Sequence, residues 1–208
     1  MASIPPARNA GICSPDILSK PAIKLWLSHV TCGNLAAMGI SIRASLDDDL
    51  PGIQAIYELE VLEGTASFEL EPPAVEEMQR RRQQVLAAGL PYLVATEGEA
   101  IAGFCYVTPY RTRPAYRFTL ENSVYVASWA RRRGVGYSLL EALIGHLEGG
   151  EWRQIIAVIG GSEHLASIHL HEQAGFEHVG VLKSVGFKFD KWVDSVIMQR
   201  EISSRAGT

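Results

Sequence analysis

Arg131-Arg132-Arg133-Gly134-Val135-Gly136 lies between a strand pattern and an amphipathic helix pattern, and this junction decides how the chain is read. The first amides of a helix have no partners inside the helix and point outward. The helix dipole adds partial positive charge at the same place. Glycines let the backbone approach an anion closely, successive amides form a concave nest, and arginine can fork two oxygens at once. The segment therefore reads as a pyrophosphate cradle, with Arg131, Arg132, Arg133, Gly134, Val135, Gly136 and Tyr137 as its candidate residues. A glycine-rich turn carrying a basic surface patch is the plain alternative. Two commoner nucleotide motifs do not fit. A P-loop ends in Gly-Lys-Ser/Thr, whereas Gly136 is followed by Tyr137. A dinucleotide fingerprint needs a third glycine where Leu139 stands.

Outward from this junction the pattern is regular. Residues 117–126 read as the strand before it. Residues 134–148 read as the helix after it, with Leu139, Leu140, Leu143, Ile144 and Leu147 on one face. Upstream, alternation of Ile40 and Ile42 with polar residues gives a strand at 39–44. Asp47 is expected to cap a helix beginning near Leu50-Pro51, whose apolar face is Ile53, Ile56, Tyr57 and Val61. A second helix is expected at 74–88, ended by Gly89. Its charge run, Glu76, Glu77, Arg80, Arg81 and Arg82, reads as a solvated face. Strands follow at 92–96 and 101–109. Downstream, the apolar run 155–159 reads as a buried central strand. A short helix, 163–173, ends with Gly175 as its left-handed terminator, and two strands, 177–187 and 191–201, close the chain. The order β-α-α-β-β-β-α-β-α-β-β fits neither two βαβαβ halves nor an all-β barrel.

The chain has 208 residues, enough for one domain with a proper core. Residues 1–38 mix Pro5, Pro6, Pro15 and Pro21 with short apolar patches, and 23–30 has room for two helical turns. This stretch is expected to be an extension, disordered or non-native, with Met38 as the natural start. The domain is expected to span 39–202, leaving 203–208 as a tail. The net charge of −4 gives no global attraction to nucleic acid or to an anionic membrane. No apolar run approaches the roughly 20 residues that span a bilayer. Three cysteines, Cys13, Cys32 and Cys105, without a framework spacing point to a reducing, cytoplasmic setting. No CxxC or HExxH is present, and on a helix His169 points away from His164 and His171, so no metal site is expected.

Four further blocks give the chain a family resemblance. Glu121-Asn122-Ser123-Val124-Tyr125-Val126 resembles a Glu-x-Ser/Thr-Val-Tyr-Val strand. Thr108-Pro109-Tyr110-Arg111-Thr112-Arg113-Pro114-Ala115-Tyr116 resembles a substrate loop. Leu170-His171-Glu172-Gln173-Ala174-Gly175-Phe176 resembles a Leu-His-Glu-x-x-Gly-Phe helix, and 186–194 resembles a closing block. With Arg-x-x-Gly-x-Gly, they resemble, over about 40–202, the phosphinothricin and methionine sulfoximine acetyltransferases of the GNAT family. The resemblance implies an α/β (α+β) GNAT acyl-CoA N-acyltransferase fold, a mixed, mostly antiparallel central sheet flanked by helices. It implies acetyl-CoA as co-substrate and a small-molecule amine as acceptor, such as a herbicide-like amino-acid analogue, and a homodimer.

Acetyl transfer from a thioester to an amine needs three things: a proton removed from the ammonium, donors to the thioester oxygen, and a proton for the leaving thiolate. A carboxylate half-buried on a central strand has its pKa raised toward neutrality, which makes Glu121 the candidate base. A cross-strand salt bridge is the alternative for Glu121. The resemblance implies that His171 stands where many relatives use a Tyr as the acid. It also implies that the backbone of Val124, Tyr125 and Val126 pairs with the pantetheine arm. His164 and Ser167 fall in the cofactor segment, with His164 where the family pattern has Asn. Arg111, Arg113 and Lys188 are candidates for the anionic ends of the substrate, with Phe68, Tyr116 and Trp192 as walls. Acetylation of a different amine, acetyl-CoA binding without catalysis, and a nucleotide-binding module are the competing readings.

Overall fold

The computed structural model describes residues 39–202; the segment 1–38, with its expected helical turns at 23–30, and the tail 203–208 lie outside the described residues. The elements are β1 (Ile40–Ala44), α1 (Leu50–Glu63), α2 (Val75–Ala87), β2 (Tyr92–Glu97), β3 (Ala100–Pro109), β4 (Thr119–Val126), α3 (Val135–Leu147), β5 (Gln154–Gly160), α4 (Leu165–Gln173), β6 (Glu177–Lys188) and β7 (Lys191–Glu201). This is the order that the hydrophobic periodicity predicts. The strands form one seven-stranded sheet in the order β1-β2-β3-β4-β5-β7-β6. Every neighbouring pair is antiparallel except β4 and β5. The fold is thus the mixed, mostly antiparallel sheet flanked by helices that the family resemblance implies.

Two helical layers cover the sheet. The face of α3 carrying Leu139, Leu140, Leu143, Ile144 and Leu147 is buried, at about 1.5–3 kcal/mol for each side chain removed from water. It lies on the face of β3 that carries Gly103 and Cys105: the Cys105 thiol donates to the Leu139 carbonyl at 3.4 Å. α1 lies on the other face. Its Tyr57 ring meets Tyr125 edge-on at 5.1 Å, and Tyr125 stacks on Phe104 at 5.0 Å. Covered on both sides, β2 is buried without a break over 92–96. β6 and β7 are joined by a two-residue turn in which Phe189 and Asp190 both take φ near +55°, as a right-twisted hairpin requires.

Three local expectations are corrected. Asp47 does not cap α1. It sits in a short 3-10 turn and pairs with Arg82 at 2.5 Å. Asp49 holds the capping position; its carboxylate accepts the Leu46 amide at 2.6 Å and is forked by Arg43 at 2.7 Å twice. The charge run on α2 is not wholly solvated. Arg82 turns inward and donates to the hydroxyl and carbonyl of Ser45, while Arg81 pairs with Glu69 and Glu77. A buried guanidinium is tolerated there because its donors are spent on several acceptors at once. Within the apolar run of β5, Val158 is 41% exposed, because at this point β5 has left β4.

Candidate active site

The site begins as a fault in the sheet. One edge of β4 pairs with β3 from Leu120 to Val126. Its other edge pairs with β5 only from Thr119↔Gln154 to Asn122↔Ala157. Beyond Asn122 the two strands part, and among the described residues no strand takes up that edge of β4 over 123–126. Backbone polar groups left in such a gap need another partner. A cavity of about 400 Å³ fills the fork.

Cross-strand partners share a face of a sheet, so the register sorts the residues at the fork. Glu121, Ser123 and Tyr125 lie opposite Thr108, Tyr106 and Phe104, on the α1 side. Asn122, Val124 and Val126 lie opposite Val107, Cys105 and Gly103, on the α3 side. The cavity is lined from both sides, by Tyr57, Tyr106 and Glu121 and also by Asn122, His164, Ser167 and His171. It is a passage through the sheet that joins a carboxylate on one face to an imidazole on the other.

Burial raises the pKa of Glu121 above the ordinary carboxylate range, and the Arg111 charge opposes this weakly. Among the described residues Glu121 has no ion pair, which removes the cross-strand salt bridge as its explanation. His171 is 3% exposed. Its Nδ1 lies 2.8 Å from the Ser167 carbonyl, which can only accept, so Nδ1 carries the hydrogen. Nε2 then accepts from the side-chain nitrogen of Asn122 at 3.0 Å. Burial lowers the His171 pKa, partly countered by the Ser167 bond. The ring is therefore neutral, with both nitrogens occupied. For it to deliver a proton, as the family resemblance implies, the Asn122 carboxamide must turn over.

Among the described residues, three buried polar atoms in the cavity wall have no hydrogen-bond partner: Asn122 Oδ1, His164 Nδ1 and Ser195 Oγ. Unpartnered buried polar atoms are costly and mark a place where a ligand or water completes the bonding. Val124 and Tyr125 line the cavity with His164 and Ser167, whereas Val126 does not.

The cradle at 131–136 is differently built from its expectation. Arg132 and Gly134 both take left-handed φ, 61° and 79°, and the outward-pointing first amides of α3 follow directly. Gly134 faces open space. Gly136 is glycine for packing: an added Cβ would lie 2.6 Å from Leu170 Cδ1 and 3.3 Å from Val126 Cγ2. Two of the three arginines are already engaged. Arg131 pairs with Glu60, and Arg133 forks Glu97 at 2.8 and 3.0 Å. Arg132 is exposed and, among the described residues, has no carboxylate partner. Tyr137, in the first turn of α3, is exposed.

The expected substrate residues divide sharply. Phe68 lines the cavity beside Ala66, Ser67 and Glu69. Arg111 lies over the Tyr110 ring at 4.7 Å, close enough to act on Glu121 through space. Arg113 and Tyr116 are exposed on the neighbouring loop and do not line the cavity, and Tyr116 meets Tyr110 edge-on at 5.9 Å. Trp192 packs on Phe187 at 5.1 Å, is 68% exposed and lies outside the cavity. Lys188 is also outside it: its ammonium is buried against two backbone carbonyls, so its expected role as an anion ligand does not hold. The sequence passed over Asn122, Tyr57, Glu69, Tyr106 and Ser195. Tyr57 reads as core because it falls on the apolar face of α1, and the alternation of β4 is the signal that picks out Asn122.

Among the described residues no group of three or more His, Cys, Asp or Glu could hold a metal ion, and no helix is long and apolar enough to cross a membrane. The first amides of α3, the β4 edge that no described strand takes up and the orphaned polar atoms fit an elongated ligand with a pyrophosphate at one end and an amide-bearing arm at the other, which is the chemistry of acetyl-CoA.

Comparison with known proteins gives the same picture. Residues 42–197 match the acetyltransferase (GNAT) domain. A phosphinothricin N-acetyltransferase of Alcaligenes faecalis is 54% identical over 170 residues, covering 82% of this chain and 86% of that protein. An L-methionine sulfoximine/L-methionine sulfone acetyltransferase of Pseudomonas paraeruginosa is 36% identical over 163 residues, covering 78% and 94%. The crystal structure of a GNAT superfamily phosphinothricin acetyltransferase from Sinorhizobium meliloti, in complex with acetyl-CoA, superposes with a TM-score of 0.75 at 41% identity, covering 80% of this chain and 90% of that one.

Proposed function

The chain belongs to the GNAT acetyltransferase family, and from that premise we propose that it transfers the acetyl group of acetyl-CoA to the amino group of a small amino-acid analogue of the phosphinothricin or methionine sulfoximine type. The observation that carries this reading is the fork itself. One cavity joins Glu121, which has an elevated pKa and, among the described residues, no ion pair, to the edge of β4 that no described strand takes up.

Acetyl-CoA, when bound, supplies the acetyl group. The 132–136 amides and Arg132 would hold its pyrophosphate, and the 124–126 backbone with His164 and Ser167 its arm. Glu121 takes a proton from the substrate ammonium, directly or through a water. Its raised pKa brings it nearer to that of the group it must deprotonate, and burial removes competing solvent. His171 lines the same cavity as Glu121 and is neutral before turnover. It would become the acid for the leaving CoA thiolate after gaining at Nε2 the proton that Glu121 takes from the substrate ammonium, with Asn122 turning its oxygen inward. Arg111, beside the Glu121 face, would meet the substrate carboxylate.

The same reading assigns the enzyme to the cytoplasm, where Cys105, a free buried thiol, needs no partner. It assigns herbicide resistance as a physiological outcome, since acetylation removes the charge of the analogue's ammonium. It also assigns a homodimer. Val179, Leu182, Val185 and Phe187 on the edge strand β6, with Phe189 and Trp192 beyond it, are exposed, and an apolar edge of that kind is normally covered. Sedimentation showing monomer alone at micromolar concentration would remove the dimer.

Thiol release from acetyl-CoA, followed with purified protein and a panel of amines, tests the central claim. Release with phosphinothricin or methionine sulfoximine supports it. Acetyl-CoA binding without turnover on any amine would leave a binding protein instead.

A further inference from the structure

Lys188 ends β6 and is 3% exposed although its side chain is charged. Its Nζ donates to the carbonyl oxygens of Gly64, at 2.8 Å, and Ser67, at 2.7 Å. Burial lowers its pKa, while Glu60 and Glu69 oppose the shift. An ammonium buried without acceptors is far costlier than one given carbonyls, so these two bonds are what make the burial tolerable.

Both carbonyls belong to the loop between α1 and α2, and Ala66, Ser67, Phe68 and Glu69 of that loop line the cavity. The loop is seated at other points as well. Thr65 Oγ1 donates to the Gly160 carbonyl at 3.1 Å. The Tyr57 and Ser67 hydroxyls share a bond of 3.0 Å. The fit is close: a Cβ on Gly160 would lie 1.9 Å from the Thr65 carbonyl oxygen, and one on Gly186 would lie 2.8 Å from the Phe68 ring. Lys188 thus gives the loop a charged anchor whose two bonds straddle Thr65 and Ala66.

We propose that Lys188 is a positioning residue for the amine pocket: its ammonium holds the backbone of residues 64–67 so that Phe68 stays in the cavity wall, and it does not touch the substrate. The proposal rests on the acetyl-transfer reading above. A lysine serving a substrate anion would present its ammonium to the cavity. Lys188 has two of its three donors committed to main-chain oxygens and is not part of the lining.

The test uses Lys188→Met, which keeps the stem and removes the donors, and Lys188→Arg. Acetylation of an acidic amino-acid analogue and of a neutral amine of similar size is followed, with KM for each amine and for acetyl-CoA. Hydrogen exchange of the 64–69 amides is measured without any substrate. Lys188→Met is expected to raise KM for both amines about tenfold, to leave KM for acetyl-CoA within about twofold, and to quicken exchange at 64–69. Lys188→Arg should restore part of the loss. Thr65→Val, which removes one weaker anchor, should move the amine KM about twofold the same way if Lys188→Met does not fold. Loss confined to the acidic amine, with exchange unchanged, would overturn the proposal in favour of a direct anion contact. Equal loss in all three KM values with faster exchange across the whole sheet would overturn it in favour of a merely structural lysine. Should the wild type acetylate no amine, the acetyl-transfer reading fails while exchange still decides the tether: unchanged exchange at 64–69 in Lys188→Met overturns it.

Discussion

The side-chain nitrogen of Asn122 lies 3.0 Å from Nε2 of His171, and the other ring nitrogen, Nδ1, lies 2.8 Å from the carbonyl oxygen of Ser167. One partner donates and the other only accepts, so the pair holds the imidazole in a single neutral tautomer. Asn122 is also the last residue of β4 to pair with β5, which puts this lock at the crotch of the fork.

Asn122→Asp replaces the donor at Nε2 with an acceptor, and both ring nitrogens then donate. His171 should be held as imidazolium at neutral pH, reversing the effect of burial. In the wild type the folded pKa is below the unfolded value of about 6.5, so His171 costs stability progressively as pH falls below that value. In Asn122→Asp that loss should vanish, and NMR titration of the ring should give a pKa above about 6.5. An unchanged titration would show that Asn122 does not set the protonation state of His171.

Glu121 as base predicts an acidic limb in kcat/KM. Its pKa is raised, so activity should rise with pH through a value above the ordinary glutamate range of about 4.3. Glu121→Gln should abolish the limb and lower kcat by roughly a hundred- to ten-thousandfold. A carboxyl with a raised folded pKa stabilises the fold when protonated, and that contribution is lost as pH rises. Glu121→Gln should therefore melt higher than wild type at pH 8 and no higher at pH 4. Full kcat across the pH range would sink the assignment.

The arginines of the cradle should not be equivalent. Arg132→Ala removes the guanidinium that has no carboxylate partner among the described residues and should raise KM for acetyl-CoA about tenfold, with a weaker salt dependence than wild type. Arg133→Ala mainly releases Glu97 and should change KM by less than about threefold. The reverse ranking would mean that Arg133 leaves Glu97 when the cofactor arrives.

What the sequence made legible and what it hid have a common physical cause. The leucines of α3 announce themselves by period, and Glu121 by its strand, because burial on one face of one element is a local pattern. Arg82 and Lys188 are buried charges whose acceptors are the Ser45 and Asp47 groups and the Gly64 and Ser67 carbonyls, supplied by other elements. No window of sequence around either residue contains those acceptors, and so Arg82 reads as part of a solvated face and Lys188 as a ligand for a substrate anion. Asn122 was hidden differently. It is adjacent to Glu121 but on the opposite face, and only the parting of β4 from β5 lets both reach one cavity.

Gly160 gives a sharper test of that parting than any charged residue. It ends β5, pairs with Ser195 of β7, and lines the cavity. A Cβ there would lie 1.9 Å from the Thr65 carbonyl oxygen, a backbone atom that cannot swing aside as a side-chain end can. Gly136→Ala also crowds its neighbour, at 2.6 Å, but the neighbour is the flexible Cδ1 of Leu170. Both substitutions overfill packed space, where the cost is about 1–3 kcal/mol, and the rigid neighbour puts Gly160→Ala at the upper end. Their kinetic signatures should differ. Gly160→Ala must lift the 64–68 loop, raising KM for the amine several-fold more than KM for acetyl-CoA, by roughly the factor that 1 kcal/mol gives. Gly136→Ala shifts α4 against α3 beneath the cradle, and its effect should fall on acetyl-CoA. If Gly160→Ala leaves the amine KM unchanged, the loop is not a wall of the amine pocket, and Phe68 has no part in binding the substrate.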